Sequence, residues 1–165
     1  MKKNLLAIGL LCTLLSACGF HLRGSGGSSL AAGTPVLFQA ANPDGPLARQ
    51  LQRSLEGAGA TLVSAENGMQ ARRLHVLAER TAKRELTLNT AGQVTEYELT
   101  LFVDYTVAAP GMEEGQPQTL SVSRPYTYDR TQVLAVNQQE NFLLNDMYRD
   151  LSDQLIRRLE RAGKQ

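Results

Sequence analysis

Residue types able to carry chemistry are few in this chain. Of its 165 residues, two are histidine and two are cysteine. Neither His21 nor His75 has beside it a nucleophile and a third orienting group, the arrangement a hydrolytic site needs. Asp129, Asp146, Asp150 and Asp153 are the carboxylates that could share acid and base roles, but they fall at a turn and on the solvent side of a helix. There they read as surface charge. The sequence has no Gly-rich phosphate loop, no paired-Cys metal spacing, no His-Glu-x-x-His pattern and no internal repeat. The expectation is a protein that is not an enzyme and that holds no metal and no diffusible cofactor.

One residue does stand in a reactive context. Cys18 follows Leu15-Ser16-Ala17, and upstream lie Lys2 and Lys3 and the apolar run from Leu5 to Leu15. A charged start, a short apolar stretch and a small-residue cut site make a signal peptide. The run is too short for a spanning helix, which takes about 20 apolar residues. Residues 1–17 are therefore expected to be removed. A Cys directly after Leu-Ser-Ala resembles the lipobox of bacterial lipoproteins, which implies an S-diacylglyceryl group on Cys18, an acylated (palmitate-type) amine and a stable anchor, since two or more chains act together. Cys12 leaves with the leader, so no disulfide is expected.

The charge balance excludes another class. Lys and Arg number 17 against 16 Asp and Glu, a formal +1 that becomes −1 once Lys2 and Lys3 are lost. Nucleic acid is not an expected partner.

Stepping along the chain, residues 18–34 carry Gly24-Ser25-Gly26-Gly27-Ser28-Ser29 and Ala31-Ala32-Gly33, the composition of a flexible tether. Residues 35–165 should form a single domain. Val36 to Ala40 reads as a strand, ended by Asn42-Pro43-Asp44-Gly45, and Pro46 opens a helix with Leu47, Leu51, Leu55 and Ala58 on one stripe. Thr61-Leu62-Val63 reads as a brief strand and Glu66-Asn67-Gly68 as a turn.

A long hairpin follows. Apolar residues are even-numbered from Leu74 to Leu88 and odd-numbered from Tyr97 to Val107, so a loop at Asn89–Gly92 with Leu88 opposite Gln93 puts both sets on one face. Leu74 then opposes Val107, Val76 opposes Tyr105, Lys83 opposes Glu98, Thr81 opposes Thr100 and Glu85 opposes Glu96. Odd paired with odd across the turn would discard this register. Leu120, Val122, Tyr126 and Tyr128 continue the alternation in a strand that Pro125 assigns to an edge. A last helix is expected from about Gln138 to Ala162, with Asn137 and Glu140 as a capping pair and Leu144, Met147, Tyr148, Leu151, Leu155 and Leu159 buried. The economical fold is α+β: a two-layer sandwich with two helices on one face of a mixed, mostly antiparallel sheet of about four strands.

Cys18-Gly19-Phe20-His21-Leu22-Arg23 resembles the mature start of the LptE family of outer-membrane lipopolysaccharide-assembly lipoproteins. Asn42-Pro43-Asp44-Gly45-Pro46-Leu47, Gly92-Gln93-Val94-Thr95-Glu96-Tyr97, Asp146-Met147-Tyr148 and Gln154-Leu155-Ile156-Arg157-Arg158-Leu159 are similar to further segments of that family. The resemblance implies an outer-membrane lipoprotein seated inside the LptD β-barrel. It would assist assembly of that barrel, plug it, and contact lipopolysaccharide on its way to the cell surface without catalysing a reaction. Gly19 fits that address.

Lipopolysaccharide carries phosphates, which favour Arg and Lys donors. The candidate contacts cluster on the hairpin as Arg73, Arg80, Lys83 and Arg84, beside Arg72. The register places Arg80 and Arg84 on the apolar face, so either that face is open near the tip or a bulge turns them outward. Arg157, Arg158, Arg161 and Lys164 sit in the last turns of a helix, where they offset its dipole. A reading from another class is a periplasm-facing lipoprotein that binds a small ligand between helices and sheet.

Overall fold

The computed structural model describes residues 30–163. Cys18, the leader and most of the tether lie outside the described residues, as do Lys164 and Gln165. The fold already includes Leu30, at the end of the expected tether. Its side chain is buried, and its N–H donates to the Ala58 carbonyl at 2.8 Å.

β1 (Thr34–Ala40) leads into α1 (Pro46–Gly57), β2 (Ala60–Leu62) and a 3-10 turn (Ala65–Gln70). A hairpin of β3 (Arg72–Leu88) and β4 (Val94–Ala108) follows, and β5 (Gln118–Thr127) and α2 (Val133–Ala162) close the chain. The sheet has five strands, not about four, in the order β2-β1-β3-β4-β5. β1 runs parallel to both β2 and β3, and the remaining pairs are antiparallel. β5 is the edge that Pro125 requires.

Both helices lie on one face, giving the expected α+β sandwich. α1 starts on Pro46, whose missing N–H would have had no partner at that position, and buries Leu47, Ala48, Leu51 and Leu55. Its chain reverses at Gly59, with φ +97°, where an added Cβ would press on the Leu30 carbonyl at 3.1 Å. Between the layers, Leu51, Leu55, Leu74, Met147, Leu151 and Leu155 are completely buried. Tyr105 joins them, with its hydroxyl donating to Gln118 Oε1 at 3.0 Å. Ser152, also buried, satisfies its hydroxyl on the Tyr148 carbonyl at 2.7 Å, so this polar group costs the core little.

α2 departs from expectation at its start. It begins at Val133, and no side chain caps its N-terminus. The preceding turn is made by Asp129, whose carboxylate accepts from the Thr131 N–H at 2.8 Å and from Gln132 Nε2 at 3.0 Å. Asn137 and Glu140 therefore sit inside the helix and form no capping pair.

The hairpin register holds only at its base. Leu74 opposes Val107, His75 opposes Thr106 and Val76 opposes Tyr105 as expected, but an irregularity at Leu77 then puts Ala78 against Asp104. Leu77 is the extra residue of a β-bulge, and beyond it odd pairs with odd: Glu79 with Val103, Thr81 with Leu101, Lys83 with Leu99 and Glu85 with Tyr97. Two further shifts near the tip, on either side of Thr87, offset each other, so Leu88 lies opposite Val94 rather than Gln93. The physical reason is the helix layer. Without the inserted residue Arg80 and Arg84 would share a face with the buried Leu99, Leu101 and Val103, and one extra residue on β3 exchanges the faces of everything that follows on that strand.

Candidate functional site

The bulge divides the hairpin's basic residues between the two faces of the sheet. Arg80 and Arg84 turn outward, away from the helices, and so resolve the conflict of parity left by the sequence. Arg80 Nη1 lies 2.9 Å from Asp104 Oδ2 with its guanidinium over the Phe102 ring, and Arg84 Nη2 lies 3.1 Å from Glu98 Oε2. Around them Thr119 donates to Asp104, Thr87 donates to Glu96, and the Thr100 and Ser123 hydroxyls meet at 2.8 Å. This face is polar and internally neutralised.

Lower on the same face the sheet is covered. Gly68 of the 3-10 turn lies against Leu37, and the Gly111 N–H donates to the Met69 carbonyl. Arg73 donates to the Met112 carbonyl, and His75 Nδ1 lies 3.8 Å from Glu114 Oε1. Arg73 is thus spent on holding the β4–β5 connection in place, and its Nε is buried without a partner.

Lys83 takes the opposite direction and meets α2. Its ammonium lies 4.4 Å from the Tyr97 ring centroid, 5.2 Å from that of Tyr126 and 5.7 Å from that of Tyr128. Tyr97 stacks on Tyr126 and meets Tyr128 edge-on. Glu140 closes the cage, with Oε1 2.5 Å from Lys83 Nζ and also accepting from the Tyr126 hydroxyl. Burial and the neighbouring Glu140 carboxylate push the Tyr126 phenol up to about 12. Burial acts to lower the Lys83 pKa, but hydrogen bonds to Glu140 and Tyr126 outweigh it and the net shift is upward. Glu140 is held below its ordinary value because its hydrogen bonds to Lys83 and Tyr126 outweigh burial. The cage fastens the first half of α2 to the hairpin. Sequence reasoning found Lys83 but gave Glu140 to a helix cap, and the signal for an aromatic cluster was three tyrosines on the apolar alternation of two adjacent strands, Tyr97 opposite Tyr126 with Tyr128 two residues on.

A catalytic or small-ligand reading finds little to use. Asp146 and Asp150 are occupied by Arg149 at 3.5 Å and by Arg124 respectively, and Asp129 makes the turn before α2. No group of metal-ligating residues occurs among the described residues. Between the layers Leu51, Leu55, Leu74, Met147, Leu151 and Leu155 are completely buried. An open cleft of about 400 Å³ lies at the rim of this core, between the start of α1 and the bulge, with Leu47, Val76, Leu77 and Glu79 in its lining. Glu79 is its one ionisable group, raised by burial. A ligand site would bring several polar groups together there.

The Lipopolysaccharide-assembly family LptE matches residues 34–159, from the first strand to the last turns of α2. This chain belongs to the LptE family. An LPS-assembly lipoprotein LptE of Pectobacterium atrosepticum is 27% identical over 154 residues, covering 93% of this chain and 83% of that protein. The corresponding lipoprotein of Yersinia pestis is 25% identical over the same share of this chain and 73% of its own length. Among solved structures, rare lipoprotein B from Shewanella oneidensis superposes with a TM-score of 0.69 at 25% identity, covering 76% of this chain and 92% of that one. A minor lipoprotein from Acinetobacter baumannii gives 0.62 at 26% identity, covering 79% and 93%. LptE membership makes this an outer-membrane-associated lipoprotein that takes part in lipopolysaccharide assembly with the transport machinery. It is not an enzyme.

Proposed function

We propose that this LptE protein is moored to the outer membrane by lipid on Cys18 and sits on the periplasmic side within the lumen of an LptD-type barrel. There it assists assembly of the barrel, plugs it and contacts lipopolysaccharide in transit. The observation that carries this reading is a two-ended shape with an internally neutralised outer sheet face. Leu30, the ends of α1 and α2, and the starts of β1 and β3 gather at one end: Thr34 pairs with Ala60, Val36 with Arg72, and Arg72 reaches the Leu159 carbonyl. The hairpin tip lies at the other. The 17 residues of β3 give a span of about 55 Å, longer than the roughly 30 Å hydrocarbon layer.

The described chain enters at the base, at Leu30, with the tip pointing away, which supports a mooring on that side. No helix among the described residues is long and apolar enough to cross a membrane. Arg80, Lys83, Arg84, Arg124 and Arg149 each meet a carboxylate, which suits the polar lumen of a barrel. Arg80 and Arg84 are the hairpin cations that remain on an open face, whereas Arg73 and Lys83 are engaged within the domain. A C-terminal affinity tag should draw one large barrel protein from outer membranes in equal amount, and Cys18→Ser should release the chain from the membrane. A tagged chain recovered alone, or a Ser variant still firmly attached, would overturn the proposal.

A further inference from the structure

The groove between α1 and α2 is lined by Pro46, Arg49, Gln50, Arg53, Asn145, Tyr148 and Arg149 and encloses about 180 Å³. Its charged lining is three guanidiniums from two helices, and its other polar groups are two amides and a phenol. No carboxylate lines it. Among the described residues, Arg49 and Arg53 have no carboxylate within 4.0 Å, and Arg149 has only Asp146 at 3.5 Å, on its own helix. Arg53 donates instead to Gln50 Oε1 at 2.9 Å. This differs from the hairpin, where Arg80, Lys83 and Arg84 are each neutralised.

The charge pattern of α1 adds a second argument. Its first turn holds no acidic residue and its last turn no basic one, while Arg49 stands near the start and Glu56 near the end. Both placements oppose the helix dipole. Arg49 and Arg53 are four residues apart, so two like charges share one face, an arrangement that destabilises a helix. Local stability gives no reason for this pattern. An anion in the groove would, because it would relieve the repulsion among the three guanidiniums and complement the positive end of α1. Local rules broken together at one place are the mark of a working surface.

We infer that Arg49, Arg53 and Arg149 form a phosphate-binding groove on the helix face, separate from the hairpin, and that it takes phosphate groups of the lipopolysaccharide handled by the protein. The ligand assignment rests on the assembly reading above; the anion site itself does not. The groove has room for a phosphate group, and its polar lining of three guanidiniums, two amides and a phenol suits a headgroup rather than acyl chains. Arg forks grip phosphate through paired N–H donors, which Lys cannot match.

The test uses the full chain in detergent, titrated calorimetrically with inorganic pyrophosphate. Lipopolysaccharide and phosphatase-treated lipopolysaccharide then serve as competitors. Arg49→Gln/Arg53→Gln should weaken pyrophosphate binding about tenfold or more. Arg49→Lys should lose about two- to fivefold because it keeps the charge without the fork. Arg157→Gln, which removes one positive charge on an exposed part of α2 outside the groove, should alter binding less than about twofold. Intact lipopolysaccharide should displace pyrophosphate and the phosphatase-treated form should not.

Unchanged pyrophosphate binding in the double variant overturns the groove, and so does an equal loss in Arg157→Gln. If the double variant keeps phosphate binding but loses barrel co-purification, the groove meets protein carboxylates and the inference is again overturned. Groove-dependent pyrophosphate binding that lipopolysaccharide cannot displace overturns the ligand assignment alone. Failure of the barrel pull-down with groove-dependent binding intact overturns the plug reading alone.

Discussion

Replacing Lys83 by Met keeps the aliphatic stem against the tyrosines and removes the ammonium, so it isolates the charge that fastens α2 to the hairpin. The ion pair joins a Lys side chain 38% exposed to a Glu side chain 25% exposed. A pair that wet contributes about 0.5–1 kcal/mol. The ammonium 4.4 Å from the Tyr97 centroid adds about 0.5–1 kcal/mol, with smaller shares from the more distant Tyr126 and Tyr128. Lys83→Met should therefore cost about 1–2 kcal/mol and lower the melting temperature by roughly 3–8 °C for a domain of this size.

Urea unfolding of wild type, Lys83→Met, Glu140→Gln and the double variant measures the coupling directly, with an expected value of about 0.5–1 kcal/mol. The pH dependence has a definite sign. The Lys83 pKa is raised in the fold, so its contribution is complete below the ordinary lysine value and is lost as pH rises through the raised one. Glu140 is lowered, so its contribution is complete above the ordinary carboxylate value and is lost as pH falls through the lowered one. The coupling should be level between about pH 5 and 10 and vanish outside that window. Effects that add within about 0.3 kcal/mol at pH 7 would refute the cage as the fastening of α2, as would a coupling that survives full protonation of Glu140.

Two further substitutions probe the layers and the rim. Leu155 is fully buried between helix and sheet, so Leu155→Ala should destabilise by about 2–5 kcal/mol, read as a fall in the urea midpoint with an unchanged slope. Glu79 is raised by burial, which means its charged form opposes folding above the folded-state pKa and the penalty disappears as pH falls below the unfolded one. Glu79→Gln should accordingly stabilise the protein at pH 7, by less than about 1 kcal/mol because the group is only half buried, and should make no difference near pH 3.

Period and punctuation made much of this protein legible in its sequence. The start of α1 could be placed to the residue because Pro46 opens it, and its stripe of Leu47, Leu51 and Leu55 is a local pattern with a period of 3.6. The hairpin, its base register and the edge position of β5 followed from alternation and from a proline that lacks a donor. What tertiary structure decided were the choices for which neighbouring residues supply no energy. The partners of β1 are far away in sequence, and the brief strand expected near Thr61 gave no sign that it would pair in parallel with β1. The bulge at Leu77 is a single residue with no turn signal, and it keeps Arg80 and Arg84 off the face that buries Leu99, Leu101 and Val103. That one insertion sent Arg80 and Arg84 outward and Lys83 inward. Glu140, inside α2 rather than at its cap, meets that lysine from 57 positions along the chain. Periodicity states which residues share a face, but packing against a second layer determines which way the face points.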